Sequence, residues 1–376
     1  MLFSWREWLG NWRKPTVETV LHQKILDTIQ AGGPLSVEAY MQMALHDPEH
    51  GYYRQGVPVG LEGDFSTAPE HSQMFGEMIG LWCFEMWRKA QSPSPFLLLE
   101  LGPGRGTMMK SLLSATSAQK EWHQAMRLHL MESSQTLRAM QKERLDVYAP
   151  VYIDKIADLP PLPLFVVANE FFDTFPMRQC VYRKGKWRER LVGLKRGSLS
   201  FVEGEALDFA PDILEREKIQ EGWVFETSPI SQQLISELAV HIAHHGGAGL
   251  FIDYGYEKPT GESSLFALHQ HKHTDIFLKP GQTDVTGDVD FSAFRRVLSG
   301  QSLSVWGPIG QGDFFQQLGI QVRAHQLRQH SPDFADKIDQ ELFRLIHPSV
   351  MGTWFKVLGF ASPELKQMGF AAADRK

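Results

Sequence analysis

Short apolar runs alternate with amphipathic stretches through most of the chain. The run at 96–101 reads FLLLEL, and five apolar residues around one acid are typical of a strand buried on both faces of a parallel sheet. Similar runs predict six further strands, at 126–131, 151–153, 164–168, 249–256, 302–309 and 351–360. Helical spacing of apolar residues lies between most of them. We therefore predict an α/β protein with a central sheet of seven strands.

The chain ahead of the first strand is predicted to be mainly helical. Ser36 has the position of an N-cap for a helix over 37–45, and a second, longer helix is predicted over 70–90. Between them, the polar, glycine-containing stretch at 60–69 predicts a loop. A loop of this length just before a ligand-binding unit is often functional, so we expect it to act as a lid.

The αβ rhythm is interrupted at 178–225. Apolar and polar residues alternate there, and Lys184 with Gly185 has the character of a hairpin turn, which predicts an inserted β meander. The pattern thus divides the chain into a helical N-terminal region with a lid loop, a core, and an inserted β-rich substrate subdomain, at 1–92, at 93–177 with 226–376, and at 178–225.

A glycine-rich turn follows the first predicted strand. Gly102, Gly104 and Gly106 allow a tight turn and a close approach of a ligand to the backbone, and a helix is predicted from Thr107. Strand, glycine loop and helix start are typical of a nucleotide-binding βαβ unit. The alternative is a turn that serves only tight packing.

An acid at the end of the second strand extends this pattern. Glu132 lies where a carboxylate accepts hydrogen bonds from both ribose hydroxyls of an adenosine, although a solvated acid is the alternative. The glycines are spaced GxGxG rather than the GxGxxG usual for dinucleotides. Glu100, beside the loop, suits the positive sulfonium of S-adenosylmethionine. The spacing therefore favours S-adenosylmethionine over NAD.

Polar residues also follow the fourth and fifth strands. Asn169, Glu170 and Asp173 come directly after 164–168, and Asp253 lies at the tip of 249–256. Ligands of open α/β sheets lie outside the carboxyl ends of the strands. These side chains are therefore expected to face the site.

Composition narrows the function classes. The 376 residues are 43% hydrophobic and 22% charged, with a formal net charge of -6, which argues against non-specific nucleic-acid binding. Cys83 and Cys180 are far apart in sequence, so we expect reduced thiols in a reducing compartment. No apolar run reaches the roughly 18 residues of a membrane span, and we expect an intracellular protein.

Two minor motifs have alternative interpretations. The tryptophans at positions 5, 8 and 12 have helical spacing, which suits a membrane-surface helix, a transit peptide, or an arm packed on its own domain or on the second subunit of a homodimer.

A second motif consists of three histidines at alternate positions, His269, His271 and His273. On an extended strand they would share one face, as metal ligands can. No carboxylate or cysteine ligands stand beside them, so we favour loop histidines and predict no metal.

Six blocks resemble a known family in collinear order. GDFSTAPEHSQMFGEMIGLW, LLLELGPGRGTMMKSLL, FVVANEFFDTFPMRQ, FIDYGY, TDVTGDVDFSAF and MGTWFKVL are similar to the S-adenosylmethionine-dependent methyltransferases that include the mitochondrial complex I assembly protein arginine methyltransferase and its bacterial homologues. The resemblance implies a Rossmann-like, seven-stranded class I methyltransferase sheet with S-adenosyl-L-methionine as cofactor. Two positions depart from the family: TAPE at 67–70 replaces an SPE-type sequence, and Asp288 replaces a histidine frequent in bacterial members.

The resemblance also implies residue roles. Since a guanidinium needs carboxylates in a fork geometry, Glu170 and Asp173 are the catalytic candidates, with Asn169 beside them; helix capping or loop hydrogen bonding is the alternative. Cofactor-binding residues are expected in the loop, at the second strand and at the lid edge: Glu100, Gly102, Gly104, Gly106, Glu132, Asp64, Thr67, Pro69 and Glu70. On the substrate side we expect Asp253 and Arg178, with Gln73 as a weaker candidate.

For the mitochondrial members of the family, the resemblance implies methyl transfer to an arginine of a respiratory complex I subunit, and for the bacterial members it implies only a protein methyltransferase. The resemblance therefore implies a protein substrate, with no nucleic acid and no integral membrane segment, in the mitochondrial matrix of a eukaryote or the cytoplasm of a bacterium. Two other hypotheses stay open. One is a non-catalytic assembly factor that uses the same fold to bind a respiratory subunit, and the other is an NAD-dependent oxidoreductase.

Overall fold

A computed structural model of the protein describes residues 19–54, 68–208, 219–269 and 272–370. Strands and helices are numbered in chain order. The central sheet consists of β2 (Phe96–Leu101), β3 (Met126–Met131), β4 (Val151–Ile153), β5 (Leu164–Asn169), β10 (Gly247–Tyr256), β14 (Val289–Asp290), β15 (Ser304–Gly310) and β16 (Phe355–Ala361).

The strand order is β15-β16-β10-β5-β2-β3-β4, and the two-residue β14 pairs with the end of β10. The strands from β10 to β4 are parallel, whereas β16 runs antiparallel to both of its neighbours. The predicted α/β fold is confirmed, and each of the seven predicted strands has a counterpart, but the sheet has eight strands because the two-residue β14 was not predicted. In the register of the sheet, Leu101 lies beside both Met131 and Ala168, so the residues after β2, β3 and β5 emerge at one edge.

Helices cover both faces of this sheet. The described helices are α1 (Val20–Gly32), α2 (Val37–His46), α3 (Ala68–His71), α4 (Gln73–Lys89), α5 (Thr107–Ala115), α6 (Lys120–Ala125), α7 (Gln135–Leu145), α8 (Pro229–His245), α9 (Phe291–Gly300), α10 (Gln311–Leu318), α11 (Ile320–His330) and α12 (Ala335–Ile346). One core layer joins the sheet to α4, α5 and α10, and the other joins it to α8 and α9. Alternate residues of β2 supply the two layers, which explains its nearly continuous apolar sequence.

Local signals account for the helix boundaries. The predicted N-cap Ser36 accepts a hydrogen bond from Ala39 N at 3.0 Å. The helix predicted over 70–90 is divided, because Ser72 ends α3 and caps α4 by accepting a bond from Met74 N at 3.2 Å. Within the described residues, no helix combines the length and the apolar character needed to cross a bilayer.

A second, antiparallel sheet stands beside the first. It contains β1 (Leu35–Ser36), β6 (Arg178–Arg183), β7 (Lys186–Lys195), β8 (Ser198–Ala206) and β9 (Val224–Thr227). The predicted turn at Lys184 and Gly185 is present, and both residues have positive φ. Because β1 pairs with β7, the N-terminal region is joined to this sheet, and α1 and α2 share a buried core with it.

A small third sheet lies between the two. It is formed by β11 (Phe266–His269), β12 (Lys272–Thr274) and β13 (Asp284–Thr286). Val285 of β13 packs in the core of α1 and α2. Its neighbour Thr286 reaches the carboxyl edge of the central sheet, as described below.

Candidate functional site

The glycine loop begins where β2 ends. Gly102, Gly104 and Gly106 all have left-handed φ values, of +60°, +52° and +76°, which only glycine adopts readily. The N–H of Gly102 donates to Met131 O at 3.0 Å, which ties the loop to β3. A Cβ on Gly102 would lie 2.6 Å from Cδ2 of Phe171, so the loop packs directly on the segment that follows β5.

Glu132 lies beside this loop at the end of β3. Its Oε1 accepts a bond from Ser134 N at 2.8 Å, and its Oε2 accepts one from Gln141 Nε2 at 3.1 Å. The same amide nitrogen donates to Gly104 O at 2.6 Å. Burial raises the pKa of the Glu132 carboxyl, and these donated bonds oppose the increase. The structure thus brings the predicted ribose acid and the predicted loop together.

Glu100 occupies a different environment. It is 2% exposed, and its Oε2 has no hydrogen-bond partner in the described structure. Burial first, and the charge of Glu132 second, raise the pKa of the Glu100 carboxyl to about 8. At neutral pH this side chain is therefore mainly protonated, and the sulfonium charge that we expected it to meet would face a neutral acid.

The segment after β5 carries the catalytic candidates. Glu170 has a φ of +47°, and its N–H donates to Ile252 O at 3.0 Å. Its Oε1 accepts bonds from Asn169 Nδ2 at 3.2 Å and from Ala68 N at 3.3 Å, which connects it to the edge of the predicted lid. Burial, followed by the charge of Asp173, raises the pKa of the Glu170 carboxyl to about 7.

Asp173 lies three residues further along. Tyr254 donates to its Oδ2, and Thr286 Oγ1 lies 3.1 Å from the same oxygen. Its Oδ1 is buried and has no partner among the described residues. Burial raises the pKa of the Asp173 carboxyl despite these donors. One oxygen of Asp173 is therefore fixed by the protein, and the other is left without a donor.

Asp253 stabilises the backbone of the segment that follows β5. Its Oδ2 accepts hydrogen bonds from three successive backbone N–H groups, those of Phe171 at 3.1 Å, Phe172 at 3.0 Å and Asp173 at 3.3 Å. Burial raises the pKa of this carboxyl well above its ordinary range, and the charges of Asp173 and Glu170 raise it further. The side chain predicted on the substrate side is thus engaged with the backbone.

We call Glu170, Asp173 and Asp253 the carboxylate cluster. In the part of the chain that the structure describes, no Lys, Arg or His side chain forms an ion pair with any of the three. Burying several acids without a cation is unfavourable, which is why all three pKa values are raised. The cluster is therefore suited to receiving a cationic group.

Of the other residues predicted for the cofactor or the substrate, some lie at the site and others lie elsewhere in the fold. Glu70, in α3, accepts a bond from Thr107 Oγ1 at the start of α5, and Pro69 beside it is buried. Gln73 is on the surface and donates to Glu77 at 3.3 Å. Arg178 lies on the second sheet, where it pairs with Glu189 of β7 at 2.8 Å. Asp64 and Thr67 lie outside the described residues.

Sequence reasoning missed three residues of the site. Gln141 has no local motif and Thr286 belongs to the TDVTGDVDFSAF block, but each reaches the site only through the folded chain. Tyr254 belongs to the FIDYGY block, in which only the neighbouring Asp253 was predicted as a site residue. A tyrosine directly after an acid at a strand tip was the available signal.

Comparisons with known proteins identify the family. A family model of S-adenosyl-L-methionine-dependent methyltransferases matches residues 78–309, more than half of the chain. The protein arginine methyltransferase NDUFAF7 of Xenopus tropicalis is 33% identical over 374 residues, which cover 91% of this chain and 85% of that protein. The chain belongs to this methyltransferase family. The human mitochondrial NDUFAF7 methyltransferase is 31% identical over 401 residues, covering 98% of this chain and 90% of its own.

A solved structure agrees with the fold of this methyltransferase. A COG1565 superfamily member from Burkholderia thailandensis, crystallised with S-adenosyl-homocysteine, superposes with a TM-score of 0.83 at 26% identity and covers 95% of each chain. The cofactor is S-adenosyl-L-methionine, as predicted. The residues present fit this group, because the left-handed glycine loop leaves no Cβ in the way and Glu132 keeps free acceptor positions beside it.

The charge of the half-buried Glu170 should reduce the stability of this methyltransferase at high pH. Its pKa of about 7 exceeds the ordinary value near 4.5, so the folded state retains a proton that the unfolded state has lost. Stability should therefore fall as pH rises between these values. We expect Glu170→Gln to raise the free energy of unfolding by about 1–3 kcal/mol at pH 8 and by much less at pH 5, in urea titrations without cofactor.

The matched control for this measurement is Glu205→Gln. Glu205 is an exposed acid of β8, so the same change of charge should leave unfolding nearly unchanged at both pH values. A Glu170→Gln protein that is less stable than the parent at pH 8 would contradict the assigned burial cost.

Proposed function

We propose that this methyltransferase acts on an arginine side chain of a protein. The observation that carries the proposal is the carboxylate cluster beside the cofactor loop, which holds buried acids without a paired cation in the described structure. A guanidinium from a substrate would favour the ionised forms of these acids and lower the pKa values that burial raises. Its relatives from Xenopus tropicalis and human are named protein arginine methyltransferases, which supports the same acceptor.

The arrangement of the free oxygens favours a guanidinium. Both described donors to Glu170 reach its Oε1, and both donors to Asp173 reach its Oδ2. Oε2 of Glu170 and Oδ1 of Asp173 then remain for the substrate. A planar guanidinium has five N–H donors and can bond two carboxylates at once, whereas an ammonium acts as a point charge.

The proposed step is a direct transfer to one guanidinium nitrogen. The cofactor supplies a methyl group activated by its sulfonium. As the N–C bond forms, the S–C bond breaks, its electron pair stays on sulfur, and the nitrogen loses one proton. Glu170 is suited to accept that proton, since its pKa of about 7 lies near the working pH. Holding the nitrogen in line with the methyl group supplies much of the remaining acceleration.

The neighbouring residues have positioning roles in this proposal. Asn169 orients Glu170 by donating to its Oε1. Asp253 fixes the backbone of the segment through three accepted bonds, so we place it beneath the substrate and not in contact with it. Arg178, which pairs with Glu189 on the second sheet, would act only on a distant part of a protein substrate.

The proposal extends to the acceptor protein and its location. The family resemblance points to a respiratory complex I subunit, in the mitochondrial matrix of a eukaryote or the cytoplasm of a bacterium. The names of the animal relatives, which describe mitochondrial proteins, support the eukaryotic part. The second sheet would help to bind this substrate. Met177, which follows the segment that carries Glu170 and Asp173, packs in the core that this sheet shares with α1 and α2.

The test is to identify the methylated residue directly. The protein is incubated with methyl-labelled S-adenosylmethionine and lysate from a deletion strain, and the labelled band is hydrolysed and analysed by mass spectrometry. We expect label on an arginine, and far less of it with Glu170→Gln. Label that appears only on lysine, on an acidic residue or on a small molecule would overturn the proposal.

A further inference from the structure

Gln141 joins the two halves of the cofactor site. It lies on α7, is 0% exposed, and directs Nε2 to Gly104 O at 2.6 Å and to Glu132 Oε2 at 3.1 Å. Both described bonds therefore go to the glycine loop and to the acid at the end of β3. Its Oε1 is buried and has no partner among the described residues. A fully buried amide used in this way is costly unless the arrangement serves the site.

The hydrogen bonds that Glu132 accepts show how the Gln141 amide affects this carboxylate. An ionised carboxylate offers about two acceptor positions on each oxygen. The N–H of Ser134 takes one position on Oε1, and Gln141 takes one on Oε2. Both oxygens therefore keep acceptor capacity for the two adjacent hydroxyls of a ribose. With two donors fixing its plane, the carboxylate is oriented before the ligand arrives.

We propose that Gln141 is a positioning residue that orients Glu132 for paired recognition of the cofactor's 2′- and 3′-hydroxyls and fixes it relative to the glycine loop. The inference rests on Glu132 as the ribose acid and is independent of the methyl acceptor. Gln141 is not needed to attach α7, because Leu137 and Leu145 bury the helix and Arg144 donates to Thr107 of α5. A variant at this position should therefore fold.

The experiment compares two ligands by calorimetry, S-adenosylhomocysteine and its 2′-deoxy analogue. The parent protein should prefer the first ligand by about tenfold or more, since it loses one charged hydrogen bond with the second. Gln141→Leu should weaken S-adenosylhomocysteine by about tenfold and reduce the preference to about threefold or less. The matched control is Gln135→Leu, an exposed glutamine of the same helix, which should change neither value.

A role in folding alone would give a different result. It would weaken both ligands equally and leave the preference unchanged, and that outcome would overturn the proposal. If Glu132→Ala retains the full preference for the 2′-hydroxyl, the ribose role of Glu132 fails first. These two failures are distinguishable because they appear in different variants.

A pH series supplies a second readout. The bond from Gln141 opposes the raised pKa of Glu132, so Gln141→Leu should raise that pKa further. Binding needs the ionised carboxylate and is lost as pH falls through its pKa. The pH at which S-adenosylhomocysteine affinity falls by half should therefore be higher in Gln141→Leu than in the parent protein and the Gln135→Leu control. An unchanged midpoint would contradict the proposal.

Discussion

Glu170→Gln is expected to lower the rate of methyl transfer by about 10²–10³-fold, while S-adenosylhomocysteine affinity changes by no more than about threefold. Glutamine has nearly the shape of glutamate and can keep the bonds from Asn169 Nδ2 and Ala68 N. It cannot accept a proton at neutral pH, and where the carboxylate presents its free Oε2 to a guanidinium, the glutamine presents an amide NH2 that can only donate. The measurement is the single-turnover rate on the acceptor identified in the lysate experiment.

Two further measurements test whether the loss of rate reflects a catalytic role of Glu170 and whether that role matters in the cell. Glu205→Gln, with the same change of charge on the exposed β8 strand, should keep the parent rate. The Glu170→Gln gene should also be introduced into a deletion strain. One outcome would be that the variant binds the cofactor, fails to methylate the acceptor and still corrects the defect of the deletion strain. In that case the protein acts as a non-catalytic assembly factor, and the catalytic proposal is wrong for its biological role.

Gly102→Ala should weaken S-adenosylhomocysteine binding by at least about 100-fold. Alanine is strained at a φ of +60°, and its Cβ would lie 2.6 Å from the ring of Phe171. The ring must move or the loop must open. Because Phe171 directly follows Glu170, either change also displaces the proposed catalytic carboxylate. Calorimetry should show the lost affinity, and a thermal melt should show a moderate loss of stability.

The matched control is Gly197→Ala. Gly197 has a φ of +79°, but a Cβ there would meet nothing within 4 Å. This substitution adds a similar backbone strain at a hairpin of the second sheet, at a cost of about 1 kcal/mol. Cofactor affinity should stay at the parent value. Normal binding by Gly102→Ala would mean that the contact with Phe171 is easily relaxed and that the loop tolerates a side chain.

The elements that the sequence predicted well depend on local pattern. Continuous apolar runs mark strands buried on both faces, and all seven predicted strands are found in the central sheet. The glycine loop and Glu132 were identified because adenosine-binding sheets place them at fixed positions along the chain. The register that places Leu101 beside Met131 and Ala168 brings the glycine loop, Glu132 and the segment after β5 to the same edge of the sheet.

The contacts that sequence reasoning could not supply join residues far apart in the chain. Thr286 reaches Asp173 from 113 positions away, and Tyr254 reaches it from 81. No local periodicity records such distances. Asp253 was predicted at a strand tip but lies within β10, just beyond the end of the neighbouring β5, and its three backbone partners depend on how the segment after β5 folds over it. Position along a strand thus predicted proximity to the site, while the partner of each side chain required the tertiary structure.

The place of β16 in the sheet matters for anyone who shortens this protein. The matched family region ends at residue 309, yet β16 (Phe355–Ala361) is an interior strand of the sheet, hydrogen-bonded to β10 on one side and to β15 on the other. At the other end, β1 and the helices that share a core with β7 precede residue 78. A recombinant fragment trimmed to residues 78–309 would lose this interior strand, whose side chains belong to both core layers of the sheet. The smallest piece that can fold is therefore much longer than the piece that carries the family signature.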